Sequence, residues 1–225
     1  MRKLMLVICL LSMGSLGWAQ SAPTLGSAQS FAVLGASTVT NTGPTAVTGD
    51  LGVSPGAAVT GFPPGTVTGG TIHAGDATAT AAQAGAHNAY HNLVAAPCGT
   101  NLTGKALGTS PGVVTLSPGV YCFDSSAQLT GTLTLNGNGV YVFKIGSTLT
   151  TASNSSVVLA NGATAGNVFW QVTSSATLGT NTAFEGSILA FISDTVTTGA
   201  SVTGRVFALT GSVTLSGNRI RAASK

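Results

Sequence analysis

A mainly β fold, wound as a solenoid and interrupted by one helix, is what this sequence predicts. Three observations carry that prediction. A short hydroxyl–aliphatic–hydroxyl word recurs along the chain. Apolar strands return at a spacing of about 20 residues, the period of a solenoid coil. One alanine-rich stretch breaks the β rhythm.

The word appears as Thr38-Val39-Thr40, Thr66-Val67-Thr68, Thr132-Leu133-Thr134, Thr148-Leu149-Thr150, Thr195-Val196-Thr197 and Ser212-Val213-Thr214, with Thr177-Leu178-Gly179 a degenerate copy. Side chains alternate between the two faces of a strand, so the aliphatic residue points inward and both hydroxyls outward. Val168-Phe169-Trp170-Gln171-Val172, Ile188-Leu189-Ala190-Phe191-Ile192 and Val206-Phe207-Ala208-Leu209-Thr210 are apolar strands at offsets of 20 and 18 residues, each followed by a threonine word. Tyr141-Val142-Phe143-Lys144-Ile145 and Val120-Tyr121-Cys122-Phe123 read as earlier copies. Asn136-Gly137-Asn138-Gly139, Asn161-Gly162 and Ser216-Gly217-Asn218 supply corners, since Asn and Gly accept the backbone angles of tight turns. An ordinary β-sandwich would not need the same word at the same place in each unit.

From Asp76 to Ala96 the chain is rich in alanine and free of proline, and Pro97 follows. Asp76 is a fitting N-cap, and Ala79, Ala82, Ala86, Ala89 and Leu93 recur at helical spacing. The spacing predicts a helix over about 76–96, with a small-residue face suited to lying flat on a sheet.

Residues 1–19 read as a secretory signal peptide: Arg2 and Lys3, an apolar core from Leu4 to Leu16, then Gly17-Trp18-Ala19 before Gln20. A cut after Ala22 is the alternative. The apolar run is shorter than the ~20 residues of a membrane span. Residues 20–225 then form a single secreted domain, large enough for a real core. Without Arg2 and Lys3 the chain keeps six basic against five acidic residues, a net charge of +1 instead of +3. No basic stripe remains to hold phosphates or a membrane surface, so nucleic acid and membrane are excluded as partners. Charged residues make up 6% and hydrophobic ones 44%, the reverse of a disordered chain. Cys98 and Cys122 are left as an even pair in an oxidising compartment, which predicts a disulfide; a metal pair would want C-x-x-C spacing.

No catalytic constellation emerges. Asp50, Asp76, Asp124, Glu185 and Asp194 are scattered, with Asp50 and Asp124 at turn or strand ends; paired carboxylates for glycoside chemistry would have to converge on one groove. His87 and His91 have zinc-helix spacing, but Asn88 stands where a metalloprotease needs Glu, and His73 is a distant third ligand. No cofactor or metal is therefore expected. Arg205 reads as a hydrogen-bonding anchor of a coil, Trp170 and Phe184 as packing.

Several longer blocks carry a family resemblance. Ser30-Phe31-Ala32-Val33-Leu34-Gly35, Thr48-Gly49-Asp50-Leu51-Gly52-Val53-Ser54-Pro55-Gly56, Leu116-Ser117-Pro118-Gly119-Val120-Tyr121, Gly166-Asn167-Val168-Phe169-Trp170-Gln171-Val172 and Gly199-Ala200-Ser201-Val202-Thr203-Gly204-Arg205 resemble, in order, the signatures of the secreted microbial ice-binding (antifreeze) proteins. The resemblance runs from about Ser27 to Ala222. It implies a discontinuous right-handed β-solenoid of triangular cross-section with one long helix packed alongside, a monomer, and an ice crystal surface as partner. The cap insertion of that family is short here, around Cys98 to Gly112.

The threonine array has a physical reading consistent with that implication. Equivalent residues on stacked coils stand about 4.8 Å apart, and alternate residues along a strand about 6.5–7 Å; stacking also flattens the sheet. Such a lattice of methyls and hydroxyls can hold water in a regular pattern, which charges would disturb. The resemblance favours the sheet without the helix, and a T-[A/G]-x-[T/N] pattern at Thr42-Gly43-Pro44-Thr45 and Thr151-Ala152-Ser153-Asn154, with Thr198-Gly199-Ala200-Ser201 a near match. The expected ice-binding residues are Thr38, Thr40, Thr148, Thr150, Thr151, Thr177, Thr195, Thr197, Thr198 and Thr214. The competing reading, an adhesive solenoid contacting polysaccharide, would want exposed aromatics; the chain has three Tyr and two Trp, one of these in the signal.

Overall fold

The computed structural model describes residues 21–224, so the expected signal peptide lies outside the described residues. Parallel strands stack into coils with three faces. The first face runs, from one end of the stack to the other, through Thr100–Asn101, Gly119–Phe123, Tyr141–Ile145, Val168–Val172, the later halves of Ala183–Ala190 and Ser201–Ala208, then Phe31–Gly35, Asp50–Val53 and Ile72–Ala74. The second face is a seven-stranded sheet of Ala127–Leu129, Leu149–Thr151, Ala176–Leu178, Asp194–Val196, Val213–Ser216, Thr38–Thr42 and Ala58–Thr60. The third contains Thr132–Asn136, Ser156–Ala160, the earlier halves of the two eight-residue strands, Arg219–Arg221, Ala46–Thr48 and Thr66–Thr68.

Chain order and stacking order differ. Phe31–Gly35 pairs with Asp50–Val53 on one side and with Ser201–Ala208 on the other. The chain therefore enters in the middle of the stack, winds to one end at Ile72–Ala74, returns to the opposite end, and winds back to meet its own beginning. The helix makes that return. It spans Ala77–Ala95, and Asp76 caps it by accepting a 2.8 Å hydrogen bond from the Ala79 amide. Nineteen residues reach about 28 Å along the stack. Ala82, Ala86, Ala89, Tyr90 and Leu93 bury against Phe31, Leu34, Val142, Phe169, Leu189 and Phe207 of the first face. Small side chains let the helix lie close, as the sequence spacing predicts.

Inside the coils the aliphatic centres of the threonine words form the core with an aromatic stack. Phe143 lies parallel to Trp170 at 3.7 Å between ring centroids, Tyr121 and Phe184 extend the stack at 5.6 and 4.9 Å, and the Trp170 indole donates to the Glu185 carbonyl. Trp170 and Phe184 are thus packing residues. The two long strands bend from third to first face at Gly186 and Gly204, both at positive φ. A Cβ on Gly204 would sit 1.9 Å from the Gly186 carbonyl oxygen, so only glycine fits this crossing.

Cys98 and Cys122 form a disulfide with their Cα atoms 5.9 Å apart. It ties the helix exit to the strand Gly119–Phe123. Replacing both by serine is expected to cost about 3 kcal/mol by loop-closure entropy, or a fall in Tm of roughly 6–12 °C. Iodoacetamide should label neither cysteine before reduction.

Candidate functional site

Short strands, six of the seven with a threonine at the equivalent outward position, put the same chemistry in register on the second face. Across it, Gln128, Thr150, Thr177, Thr195, Thr214, Thr40 and Thr60 are direct partners in successive strands. Six threonines thus form one unbroken rank, about 24 Å long at the usual strand spacing. The Thr40 and Thr214 hydroxyls lie 3.5 Å apart within it. Beneath runs the inward rank Ala127, Leu149, Ala176, Asp194, Val213, Val39 and Val59.

Two further hydroxyl rows border the central rank. Thr38 and Thr148 lie on the side nearer the helix-covered face, where Thr148 shares a hydrogen bond with Ser126 at 2.8 Å. Here Ser175 and Ser193 accept from the backbone amides of Ser193 and Ser212, one coil to the next, so these hydroxyls already serve the coils. On the other side stand Thr42 and Ser216, paired directly, and Thr197, whose hydroxyl donates to the Leu178 carbonyl at 2.7 Å. Thr198 is exposed at the corner and hydrogen-bonded to Ser216 at 2.9 Å.

Three expectations are corrected. Thr151 does not face outward: it is 3% exposed, shares a hydrogen bond with Thr182 and accepts one from the Gly179 amide. Alternation requires this, because Thr150 already points out. The T-[A/G]-x-[T/N] pattern does not lie on the flat surface either. It forms the corner towards the third face, with Thr45 fully buried and Asn154 at φ 61°. Finally, Thr66–Thr68 and Thr132–Asn136 belong to the third face, so two of the words do not join the array. Gln128 and Thr60, absent from the expected set, do join it. Neither sits in a full word, but each stands beside an aliphatic residue, Leu129 and Val59.

Electrostatics separate the exposed faces. The outward positions of the second-face strands hold hydroxyls, Gln128 and Ala58, without a charge. The third face carries Glu185, Arg219 and Arg221; burial raises the Glu185 carboxyl, while Thr203 and Arg221 pull it back. The first face is covered by the helix.

The remaining polar residues do structural work. Asp50 accepts from the Thr71 amide, and Asp124 accepts from the Asn101 side chain. His73 bonds Asp76 at 2.8 Å and Thr71 at 2.9 Å, steadying the helix N-terminus. His87 donates to the Leu209 carbonyl at 3.2 Å, anchoring the helix to the first face. Arg205, 2% exposed, holds backbone carbonyls.

This geometry has relatives. A family model described as ice-binding-like matches residues 33–221. An ice-binding protein of Nostoc sp. (strain HG1) is 53% identical over 207 residues, 90% of this chain and 75% of the relative. The crystal structure of an ice-binding protein from an Antarctic biological consortium superposes with a TM-score of 0.86 at 41% identity, covering 97% of each chain. That of an ice-binding protein from the ascomycete Antarctomyces psychrotrophicus gives 0.84 at 37%, covering 91% of this chain and all of the other.

Proposed function

The chain belongs to the ice-binding family, and from that premise we propose that its second face is the surface that adsorbs to ice. Binding ice is the function; the face and its residues are our assignment. One observation carries it: the unbroken, uncharged rank from Thr150 through Thr177, Thr195, Thr214 and Thr40 to Thr60. Each threonine offers a methyl that excludes disordered water and a hydroxyl that anchors ordered water. Repetition at about 4.8 Å along the rank lets the anchored layer merge with a crystal. Thr38, Thr148 and Thr197 border this row, and Thr198 extends it to the corner. Thr151 is left out because its side chain is buried.

Adsorption of this kind pins a growing crystal front, so the mature chain is expected to give thermal hysteresis and to inhibit recrystallisation. Crystal shaping and hysteresis in a nanolitre osmometer test this. Hysteresis indistinguishable from that of a non-binding protein would refute it.

The family is one of ice-binding proteins, not an enzyme family. We extend this to the absence of any hydrolase or lyase reaction and of any metal requirement: hysteresis should survive excess EDTA unchanged. Loss on chelation, restored by one divalent metal, would refute that extension. Monomeric adsorption by a secreted chain completes the proposal. N-terminal sequencing of exported protein should begin at Gln20 or close to it; an intact Met1 would overturn the signal-peptide reading.

A further inference from the structure

The central threonine rank is not built by one continuous run of coils. Thr150, Thr177, Thr195 and Thr214 come from the block wound after the helix, whereas Thr40 and Thr60 come from the block wound before it. The blocks meet where Val213–Ser216 pairs with Thr38–Thr42, and where Ser201–Ala208 and Arg219–Arg221 pair with Phe31–Gly35 and Ala46–Thr48. No peptide bond joins adjacent coils at this plane. Elsewhere the corner between stacked coils is continuous chain; here the register of the lattice rests on non-covalent contacts alone.

Two buried polar side chains, Arg205 of the later block and Thr45 of the earlier one, bridge that plane. Arg205 belongs to the last coil. Its Nη2 donates to the Gln29 carbonyl at 2.6 Å, across the joint at the entry to the first coil, and to the Ala223 carbonyl at 2.9 Å in the exit segment. A buried guanidinium is an expensive way to fill space unless its bonds fix something. Thr45, fully buried, does the same at the corner beside the threonine face. Its Oγ1 accepts from the Asn218 backbone N–H across the joint at 3.0 Å, and the Asn218 side chain donates to the Thr197 and Ala200 carbonyls of the preceding coil. The Thr45 hydroxyl donates to Asn41 Oδ1, and Asn41 Nδ2 donates to the Gly61 carbonyl. This chain of hydrogen bonds crosses four successive coils along the edge of the face.

We infer that Arg205 and Thr45 are positioning residues for ice binding: they clamp the joint between the two blocks so that two sets of threonines make one lattice. The inference rests on the assignment of the second face. A displacement at the joint of a fraction of the strand spacing would leave each block folded but put Thr40 and Thr60 out of phase with the other four threonines.

The test compares four proteins: the unaltered chain, Arg205→Met, the cross-linked pair Ala46→Cys with Arg219→Cys, and the combination of all three. Ala46 and Arg219 are direct partners across the joint on the third face, so an oxidised bridge there, at a separation suited to a disulfide, clamps the joint without touching the threonines. Hysteresis is measured beside amide hydrogen exchange of 38–42 and 213–217. For Arg205→Met we expect a several-fold loss of hysteresis and lost protection in those two segments, with far-ultraviolet circular dichroism native at the measuring temperature. The oxidised combination should recover both. If Arg205→Met does not fold, Thr45→Val, which removes the hydroxyl that accepts across the joint, replaces it, with the same expectations. Full hysteresis with unchanged protection overturns the inference and leaves the face assignment standing. An opened joint with full hysteresis overturns the face assignment, because the lattice would then not matter. A closed joint in the oxidised combination without recovered hysteresis shows that Arg205 acts other than through the joint, and overturns the inference.

Discussion

Replacing Thr195 by tyrosine is expected to abolish most of the thermal hysteresis and leave the melting temperature nearly unchanged. Thr195 is the fourth of the seven positions from Gln128 to Thr60, with Thr177 and Thr214 as its direct partners. Its side chain points away from the core, so the phenol displaces solvent alone. An outward-facing substitution of this kind changes stability by about 0.5–1 kcal/mol or less, which is roughly 2–4 °C in a domain of this size. Adsorption behaves differently. The rank meets a flat crystal at many points together, and a ring standing several ångströms proud of its neighbours holds all of them off. A loss of about tenfold in adsorption needs only 1.4 kcal/mol, less than the contribution of the lost contacts on either side. The effect should be graded by position: Thr150→Lys, near the end of the rank, is expected to cost less than Thr195→Tyr. The same tyrosine at Thr203 of the third face should cost almost nothing. Undiminished hysteresis in folded Thr195→Tyr, with loss in Thr203→Tyr, would move the ice-binding surface to the third face.

The sequence makes the coil and its word legible because both are local. A hydroxyl, an aliphatic residue and a hydroxyl alternate across any half-buried strand, so the inward and outward sides of each word can be read directly. Which face a word occupies is not local. Thr66–Thr68 and Thr132–Thr134 have the same alternation as Thr38–Thr40, but they precede a first-face strand, whereas the second-face words follow one. Order relative to that strand was the available signal. Thr151 shows a different limit. It extends a run of threonines, and only strict alternation from Leu149 and Thr150 turns it inward, where Thr182 and Gly179 use its hydroxyl. The helix was legible to within a residue at each end, since a cap and a small-residue stripe are both local features. The joint between blocks was not, because nothing in sequence order reveals that Val213 lies beside Val39.

Nor does the sequence reveal the environment of Asp194, which supplies the second large expected effect. By position Asp194 is a strand-end acid, the residue before a threonine word. In the structure it occupies the inward rank between Ala176 and Val213, 1% exposed, and neither carboxyl oxygen has a hydrogen-bond partner among the described residues. Burial pushes its carboxyl well above the usual carboxylate range. The folded state therefore keeps this proton to higher pH than the unfolded chain does. With the folded pKa raised, its contribution is fully present below the ordinary carboxylate range and is lost as pH rises towards the folded pKa. Asp194→Val removes both the titration and the unsatisfied polar atoms, and valine already fills this rank at Val213, Val39 and Val59. An unpaired buried polar group costs about 1–3 kcal/mol, so the valine variant should melt several degrees higher at neutral pH. The gain should narrow as pH falls to about 4, where the carboxyl of the unfolded chain is itself about half protonated. Asp194→Asn separates the two causes: it abolishes the pH dependence but keeps a buried amide, and should melt below the valine variant. Hysteresis of Asp194→Val should equal that of the unaltered chain, since Ser193 and Thr195 keep their outward positions. Thermal melts of the three proteins from pH 4 to 8 decide the matter. A valine variant that melts lower at neutral pH, or that tracks the unaltered chain in parallel across the range, would mean that the carboxyl has a partner or is already ionised in the fold.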